Sequence, residues 1–569
     1  MGSVLISRAP PASAAPAWRA TLGLLAFTCA LIAVWLVADP RTPDLAAQVY
    51  RVALFHEVGL AVWDDNWYAG HALLGYSLLY PPLAAALGMR VLAALCVLAS
   101  SLLFAALVRP VYGEGARWGA AWFAVAALGD VWIGRLTFAL GVSLALAAAL
   151  ALARERRLWA AALAALCAAA SPAAAALLGL AGLSLALARW TPRAFVVLAL
   201  PGAVVVAVLA ALFPEGGYEP YPILSFAATA IVIAAFVLAL PREAQLARVG
   251  AWVYLLACVG CLLVRSPIGS NVERYGVLLA GPLLLCERLA APRRRRRAGG
   301  LSEALAGRAG GLTQAAARRA RGLTAGTLAA LGVIAVWVAW GPVRETLAVA
   351  GTPASSAAYY APVKRFIAAV QARSGSPLRV EVPLTRSHWE AALLAPSVPL
   401  ARGWDKQMEE RYDGALLAHG LTAGGYERWL DEQAVSYVAL PDLPSDPSSA
   451  REAQLIRAGL PYLREVFKSS HWRVYRVLRA TPLAAGPGRL SALGHDSFTL
   501  LARTAGRFVV RVHFTRYWAL TRGEGCVAPA PGGWTQVSVR APGRVVVSAS
   551  FSLARAFANG GSCTGARAS

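Results

Sequence analysis

Up to about residue 343 the chain is dominated by apolar runs close to twenty residues long, and these constrain its fold more than any other feature. A helix needs about 20 apolar residues to cross the roughly 30 Å hydrocarbon core of a bilayer. Of the 569 residues, 58% are hydrophobic and only 15% are charged, whereas soluble domains carry about 25% charged residues. The sequence therefore predicts a polytopic α-helical membrane protein.

We predict eleven membrane spans within a transmembrane domain at 21–343. The spans are 21–38, 89–108, 118–133, 136–153, 158–170, 173–188, 194–213, 224–240, 249–264, 275–291 and 324–341. The short pair around Ser171-Pro172 leaves two alternatives open, because proline disfavours helix at its own position and just before it. The pair is either two short spans or a re-entrant hairpin.

The distribution of arginine predicts the orientation, since short loops rich in Lys and Arg stay cytoplasmic. With the N-terminal tail 1–20 inside, the inner segments, including the basic loop 292–323, hold 21 basic residues and five acids. The outer loops hold six basic residues and nine acids. The net charge of +24 is thus mostly a topology signal, and we predict no nucleic-acid partner. We expect a multi-pass plasma-membrane protein whose C-terminal part is extracytoplasmic.

The C-terminal part has the composition of soluble domains. An outer α/β domain is predicted at 344–480, with strands at 378–382, 435–440 and 472–477 and helices at 361–374, 423–433 and 448–467. A small β-sandwich is predicted at 481–569, with strands at 498–503, 507–515, 534–540 and 544–552. Cys526 and Cys563 are the two cysteines outside the spans. We predict that they form a disulfide, because an outer compartment is oxidising.

The long first outer loop, residues 39–88, concentrates chemistry beside the membrane. It holds five acids, several aromatic residues, and His56 and His71, the two histidines of the membrane half. Residues 44–58 predict a helix with Asp44, Gln48, Arg51 and Phe55 along one face. Trp63, Trp67 and Tyr68 fit an aromatic belt at the membrane interface.

The order of motifs in this loop resembles a known family. Asp44, Tyr50 and Gly59 are followed by an aromatic loop and by Tyr80-Pro81-Pro82-Leu83. This resembles GT-C glycosyltransferases of the protein mannosyltransferase and aminoarabinose transferase type. The segments Gly134-Arg135-Leu136, 266–271 with Arg274, and 401–405 resemble an uncharacterised actinobacterial group of membrane proteins. The motif match spans about fifty residues, while the architecture covers most of the chain.

The resemblance implies an enzyme that moves a hexosyl or pentosyl group from a polyprenyl-phosphate-linked donor to a glycan, lipid or protein acceptor during envelope glycan assembly. It implies that Asp44 is the catalytic base and that Asp130 is a second catalytic acid, which either orients the substrate or holds a metal. Arg135 and Arg274 would bind phosphate, for which guanidinium is suited. The other candidate substrate-binding residues are Asn271, Tyr80, His71, Asp64 and Asp65.

Each assignment has an alternative that the sequence leaves open. Asp44 also fits a helix cap or first-turn acid, Asp130 with Arg135 an interfacial ion pair, and Arg274 an interfacial anchor. The sequence identifies no definite cofactor, and the binding of a divalent cation stays open, with His56 and His71 as its candidate ligands. The alternative functions are a transporter or flippase of a lipid-linked saccharide and a non-enzymatic envelope-assembly protein.

Overall fold

The chain folds into a helical bundle followed by two β-containing domains. The computed structural model describes residues 17–214, 216–298, 323–418, 420–557 and 561–565. The predicted N-terminal tail before residue 17 and most of the predicted basic loop 292–323 lie outside the described residues.

Helices α1 to α13 form the first half of the chain. They are α1 Ala17–Ala38, α2 Pro43–Val58, α3 Tyr80–Leu87, α4 Met89–Tyr112, α5 Ala116–Ile133, α6 Leu136–Ala153, α7 Arg157–Ala170, α8 Pro172–Arg189, α9 Arg193–Leu212, α10 Ile223–Ala239, α11 Gln245–Leu263, α12 Glu273–Ala298 and α13 Ala325–Val349. Each of the eleven predicted spans coincides with α1 or with one of α4 to α13. In the described ranges, seven apolar helical stretches have the length and composition to cross a membrane, and Arg157–Ala170 and Ile223–Ala239 are shorter apolar helices. The predicted polytopic membrane fold is confirmed.

The first loop carries α2, α3 and a short hairpin of β1 Trp63–Asp64 with β2 His71–Ala72. Beyond the hairpin it reaches the break between α7 and α8, where Ser171 is extended and its hydroxyl accepts the backbone N–H of Ala174 at 3.3 Å. The backbone N–H of Leu78 donates to the carbonyl of Ala169 at 2.8 Å. Helices α7 and α8 are thus two separate helices, and the first loop covers the junction between them.

An α/β domain follows the bundle. Its helices are α14 Ala357–Ser374, α15 Glu390–Leu393, α16 Lys406–Tyr412, α17 Gly414–Leu417, α18 Ala423–Glu432 and α19 Ala450–Ala458, and its strands are β3 Arg379–Glu381, β4 Val435–Pro441, β5 Leu463–Lys468 and β6 Trp472–Val477. The sheet order is β3-β4-β6-β5, with only the β3–β4 pair parallel. The three predicted strands and the helices at 361–374 and 423–433 are present.

The predicted helix at 448–467 is wrong in its second half. Helix α19 ends at Ala458, and Gly459 has a φ of +88°. Glycine adopts this conformation without steric cost, and Pro461 provides no N–H to continue a helix. The chain therefore turns, and residues 463–468 pair with β6 as strand β5 instead.

The last domain is a β-sandwich. Its strands are β7 Ala484–Ala485, β8 Gly488–Leu493, β9 Ser497–Ala502, β10 Gly506–His513, β11 Trp518–Arg522, β12 Gly525–Pro529, β13 Trp534–Val539 and β14 Gly543–Ala549, followed by α20 Leu553–Ala556. They form two four-stranded sheets, β12-β13-β10-β7 and β11-β14-β9-β8. The four predicted strands correspond to β9, β10, β13 and β14. Cys526 and Cys563 form a disulfide, which confirms the predicted pairing.

The first loop is built into the core of the α/β domain. Trp67 is 0% exposed; its ring stacks on Tyr50 at a centroid distance of 4.3 Å, and its Nε1 donates to the carbonyl of Ala391 at 3.0 Å. A Cβ on Gly403 would lie 2.6 Å from the Trp67 ring. Trp63, Trp67 and Tyr68 are all buried inside the protein, so their interpretation as a membrane-interface belt is wrong.

We expect Trp67→Ala to loosen the attachment of the α/β domain to the bundle. Truncating a buried tryptophan costs about 3–5 kcal/mol of folding free energy, which would appear as a lower unfolding midpoint of the detergent-purified protein. Trp159→Ala is the matched control, because Trp159 is 66% exposed. Equal midpoints for the two variants would contradict this role of Trp67.

Candidate active site

The turn between α5 and α6 lies against the first turn of α2. Pro43 begins α2, where its missing N–H is not needed, and the Thr42 hydroxyl donates to the carbonyl of Trp132 at 2.9 Å. Gly134 has a φ of +97°, and a Cβ there would lie 2.3 Å from the backbone nitrogen of Leu45. Only glycine permits this approach, which brings the neighbouring Arg135 to Asp44.

Arg135 bridges two carboxylates. Its Nε lies 3.4 Å from Asp44 Oδ2, and its Nη1 lies 3.3 Å from Asp130 Oδ1. The Asp44 side chain is 34% exposed and that of Asp130 only 3%. Thr42 is the N-cap residue of α2 and makes no side-chain capping bond, and Asp44 follows in the first turn. Asp44 is therefore the accessible acid of the pair.

Arg274 completes the cluster from a third direction. A 3₁₀ turn, Gly269–Val272, precedes α12, and the Arg274 guanidinium donates to Asn271 Oδ1 and lies 4.9 Å from the centre of the Phe138 ring. Arg274 lies in the electrostatic field of Asp44, Asp130 and Arg135. Among the described residues it makes no ion pair and its Nε has no hydrogen-bond partner. We call Asp44, Asp130, Arg135, Arg274 and Asn271 the acid–arginine cluster.

A second polar group continues from α2 into the α/β domain. Arg51 Nη2 lies 2.8 Å from Asp405 Oδ2, with both side chains largely buried. The Arg51 guanidinium also lies 3.7 Å from the centre of the Tyr76 ring, and Gln48 Nε2 donates to the Tyr76 hydroxyl at 3.1 Å. The predicted face of α2 thus runs from Asp44 through Gln48 to Arg51. Tyr76 is a residue that the sequence did not single out.

Glu219 is the other residue of the site that sequence reasoning missed. It lies between α9 and α10, and its Oε1 accepts a hydrogen bond from the Ser270 hydroxyl at 2.9 Å. A Cβ on Gly269, whose φ is +43°, would lie 1.9 Å from the Glu219 carbonyl oxygen. Burial raises the pKa of Glu219 to about 7, although Arg274 and Lys406 act in the opposite direction. No motif marked this residue; its neighbours come from distant segments.

Asp64 and Asp65 lie in a buried network between the first loop and the C-terminal domains. Asp64 accepts from the Tyr50 hydroxyl at 2.7 Å and lies 3.3 Å from His495 Nδ1. Asp65 accepts from Trp63 Nε1 at 2.7 Å, and burial raises the pKa of its carboxyl well above the usual range. Both acids are 0% exposed, and their hydrogen bonds hold the loop in place.

Among the described residues, no hydrogen bond or ion pair joins His71, Tyr80 or His56 to the acid–arginine cluster. His71 is buried beside Trp67, burial lowers its pKa, and its Nδ1 lies 4.0 Å from Asp64 Oδ2. Tyr80 is buried in an apolar cluster of the bundle, whereas His56 is exposed near the end of α2. Within the described part of the chain, no group of three or more His, Cys, Asp or Glu side chains has the arrangement of a metal site.

Comparison with known proteins finds similarity among solved structures. No family model matches the chain, and no curated protein matches it. Among solved structures, the chain is similar to arabinofuranosyltransferase AftD from Mycobacteria, determined by single-particle cryo-EM, with 14% sequence identity and a TM-score of 0.48. The match covers 95% of this chain and 57% of that chain. The chain thus spans a little over half the length of that structure.

We expect Glu219→Gln to flatten the pH dependence of stability near neutrality. A carboxyl whose pKa is raised in the folded state binds its proton more tightly there, so folding stability falls as pH rises from about 4.5 through about 7. The variant should lose this contribution, measured as unfolding midpoint against pH in detergent. An unchanged slope between pH 5 and pH 7, relative to the parent protein, would contradict the assignment.

Proposed function

We propose that this protein is a membrane glycosyltransferase of the GT-C type, which transfers a sugar from a polyprenyl-phosphate-linked donor to an acceptor hydroxyl at the outer face of the plasma membrane. The observation that carries the proposal is the acid–arginine cluster. It joins an accessible carboxylate to two guanidinium groups at one end of the bundle, next to the α/β domain. The sequence resemblance of the first loop, from Asp44 to Leu83, supports the same reaction type.

The cluster has the groups that such a transfer needs. Asp44, one-third exposed, is suited to take the proton of the acceptor hydroxyl, whose oxygen then forms a bond to the anomeric carbon. The bond from that carbon to the carrier phosphate breaks, and the phosphate leaves with the bonding electrons. Guanidinium groups at the leaving phosphate stabilise its developing charge.

The two arginines have different surroundings, which suggests different roles. Arg135 is held between Asp44 and Asp130 and fixes the orientation of the base. Arg274 lacks an ion-pair partner among the residues described, so its charge is the more available one for the donor phosphate. Asp130, nearly buried, acts as a positioning residue for Arg135 in this proposal. The distribution of basic residues, which favours an outer location for the cluster, supports transfer outside the cytoplasm.

We expect Asp44→Asn to abolish transfer while the protein still folds. Removal of a general base costs about 10²- to 10⁴-fold in rate. A gene-deletion strain would be complemented with the parent or variant gene, and its envelope glycan composition and its pool of polyprenyl-phosphate-linked sugars would be measured. The variant should leave one glycan linkage missing and its donor accumulated.

Asp39→Asn is the matched control for this experiment. Asp39 belongs to the same loop but forms ion pairs with two solvent-exposed arginines, Arg41 and Arg90. It should restore the glycan as the parent protein does. Full restoration by Asp44→Asn would exclude Asp44 as the base.

We also expect Arg274→Gln to weaken binding of the carrier phosphate. A charge-assisted hydrogen bond contributes about 1.5–3 kcal/mol, so affinity should fall at least about tenfold. Polyprenyl phosphate in mixed micelles serves as the probe, and its stabilisation of the purified protein against heat gives the affinity. Arg90→Gln, which changes an exposed arginine paired with Asp39, should bind like the parent protein. Equal affinities for all three proteins would exclude Arg274 from the phosphate site.

A further inference from the structure

The β-sandwich is attached to the end of a candidate membrane span. The Tyr517 hydroxyl donates to the carbonyl of Leu212, the last residue of α9, at 2.7 Å. The apolar cluster that forms the sandwich core also includes Leu209 and Phe213. Since α9 has the length and composition to cross a membrane, this contact holds the sandwich at the level where α9 leaves the bilayer.

The segment after β14, residues 551–557, lies at this same contact. The ring of Phe551 lies 5.9 Å from that of Phe213 and 5.7 Å from that of Tyr517, measured between centroids. Arg516 Nη1 donates to the carbonyl of Ala556 at 2.5 Å, which ties the end of α20 beside Tyr517. The whole segment therefore stays close to the end of α9.

The segment exposes apolar side chains instead of burying them. Phe551 is 47%, Leu553 65% and Phe557 79% exposed. Three large apolar side chains within seven residues are costly in water, because each leaves apolar surface hydrated. On α9 itself, Leu200, Val204 and Val208 form an exposed stripe at four-residue spacing, which a lipid environment accommodates.

The charge of the segment fits a lipid surface. Residues 503–522 and 543–557 contain no acid. Arg516 and Arg555 lie within the contact, and Arg555 Nη1 donates to the carbonyls of Ser550 and Tyr517 at 2.9 and 3.2 Å. Arginine beside aromatic and aliphatic side chains suits the boundary between phosphate headgroups and acyl chains.

We propose that residues 551–557 are a membrane-surface anchor, which inserts Phe551, Leu553 and Phe557 into the bilayer interface and rests the β-sandwich on the membrane. The occupant of this apolar surface is the bilayer that contains α9. The anchor gives the C-terminal domains a direct attachment to the membrane surface, in addition to their contacts with the first loop and α9 and the chain connection through α13. It does not depend on the proposed transfer reaction.

The test measures membrane depth in the full-length protein in lipid nanodiscs. Nitroxide labels are placed at Phe557→Cys or Leu553→Cys in a background that carries Cys29→Ser and Cys261→Ser, and their collision rates with oxygen and with a water-soluble nickel chelate are compared. Glu524→Cys is the matched control: Glu524 is exposed and follows the far end of β11, which lies about 13 Å along the strand from Trp518. We expect the oxygen-to-nickel ratio to be clearly higher at 553 and 557 than at 524.

Two further measurements keep the result interpretable. Peptide mapping without reductant must show the Cys526–Cys563 disulfide intact in each labelled variant, which establishes that the sandwich has folded. Equal collision ratios at 524, 553 and 557 in such protein would overturn the proposal. Spin–spin broadening at 557 together with a water-like ratio would also overturn it, because a second copy of the chain would then cover the segment.

Discussion

The site depends on the way that helix α2 is held at both of its ends. Farther along the helix, Tyr50 stacks on Trp67 of the following loop, and both pack into the core of the α/β domain. The next residue, Arg51, forms a buried ion pair with Asp405. Breaking such a pair by removing one partner costs about 3–5 kcal/mol, because the remaining charge is left buried. At its N-terminal end, the Gly134 turn packs on the first turn. The helix therefore cannot shift without disturbing either the bundle or the domain.

The loop that carries Asp405 is itself fixed by buried charges. Arg402 is almost completely buried, with its Nη2 2.6 Å from Glu409 and its Nη1 2.8 Å from Glu452. The neighbouring Gly403 allows Trp67 to approach. The segment 401–405 thus has a structural role at Arg402 and Gly403. Its link to the candidate site is Asp405, through Arg51.

The parts of the site that could be predicted from sequence are those in which local pattern determines structure. The spacing along α2 indicated one face for Asp44, Gln48 and Arg51, and that face contacts Arg135, Tyr76 and Asp405 in turn. The family resemblance added Arg135 and Arg274. The positions of the helices in the membrane half followed from apolar length alone. Tyr76 and Glu219 carry no local signal, since their partners are supplied by other segments.

Asp64 and Asp65 show that the composition of this loop does not reveal the surroundings of its acids in the folded protein. An acid pair beside a membrane has the composition of a binding site, but its environment is decided by residues far away in the chain. His495, 431 positions later, lies 3.3 Å from Asp64, and its backbone carbonyl accepts the N–H of Asp65 at 2.6 Å. These contacts exist only once the β-sandwich has docked. Long-range contacts of this kind cannot be derived from the periodicity of either segment.

The charges within the acid–arginine cluster suggest how an anionic donor and a base can share one small space. Two carboxylates near a phosphate would repel it, but Arg135 lies between them and offsets one of their two charges. Arg274 adds a second positive charge, with only the neutral Asn271 amide as its side-chain partner within the described residues. Asp130, desolvated and beyond reach of solvent, keeps Arg135 in place without competing for substrate. The more exposed Asp44 is therefore the proposed base, and the buried Asp130 is the proposed counterion of Arg135.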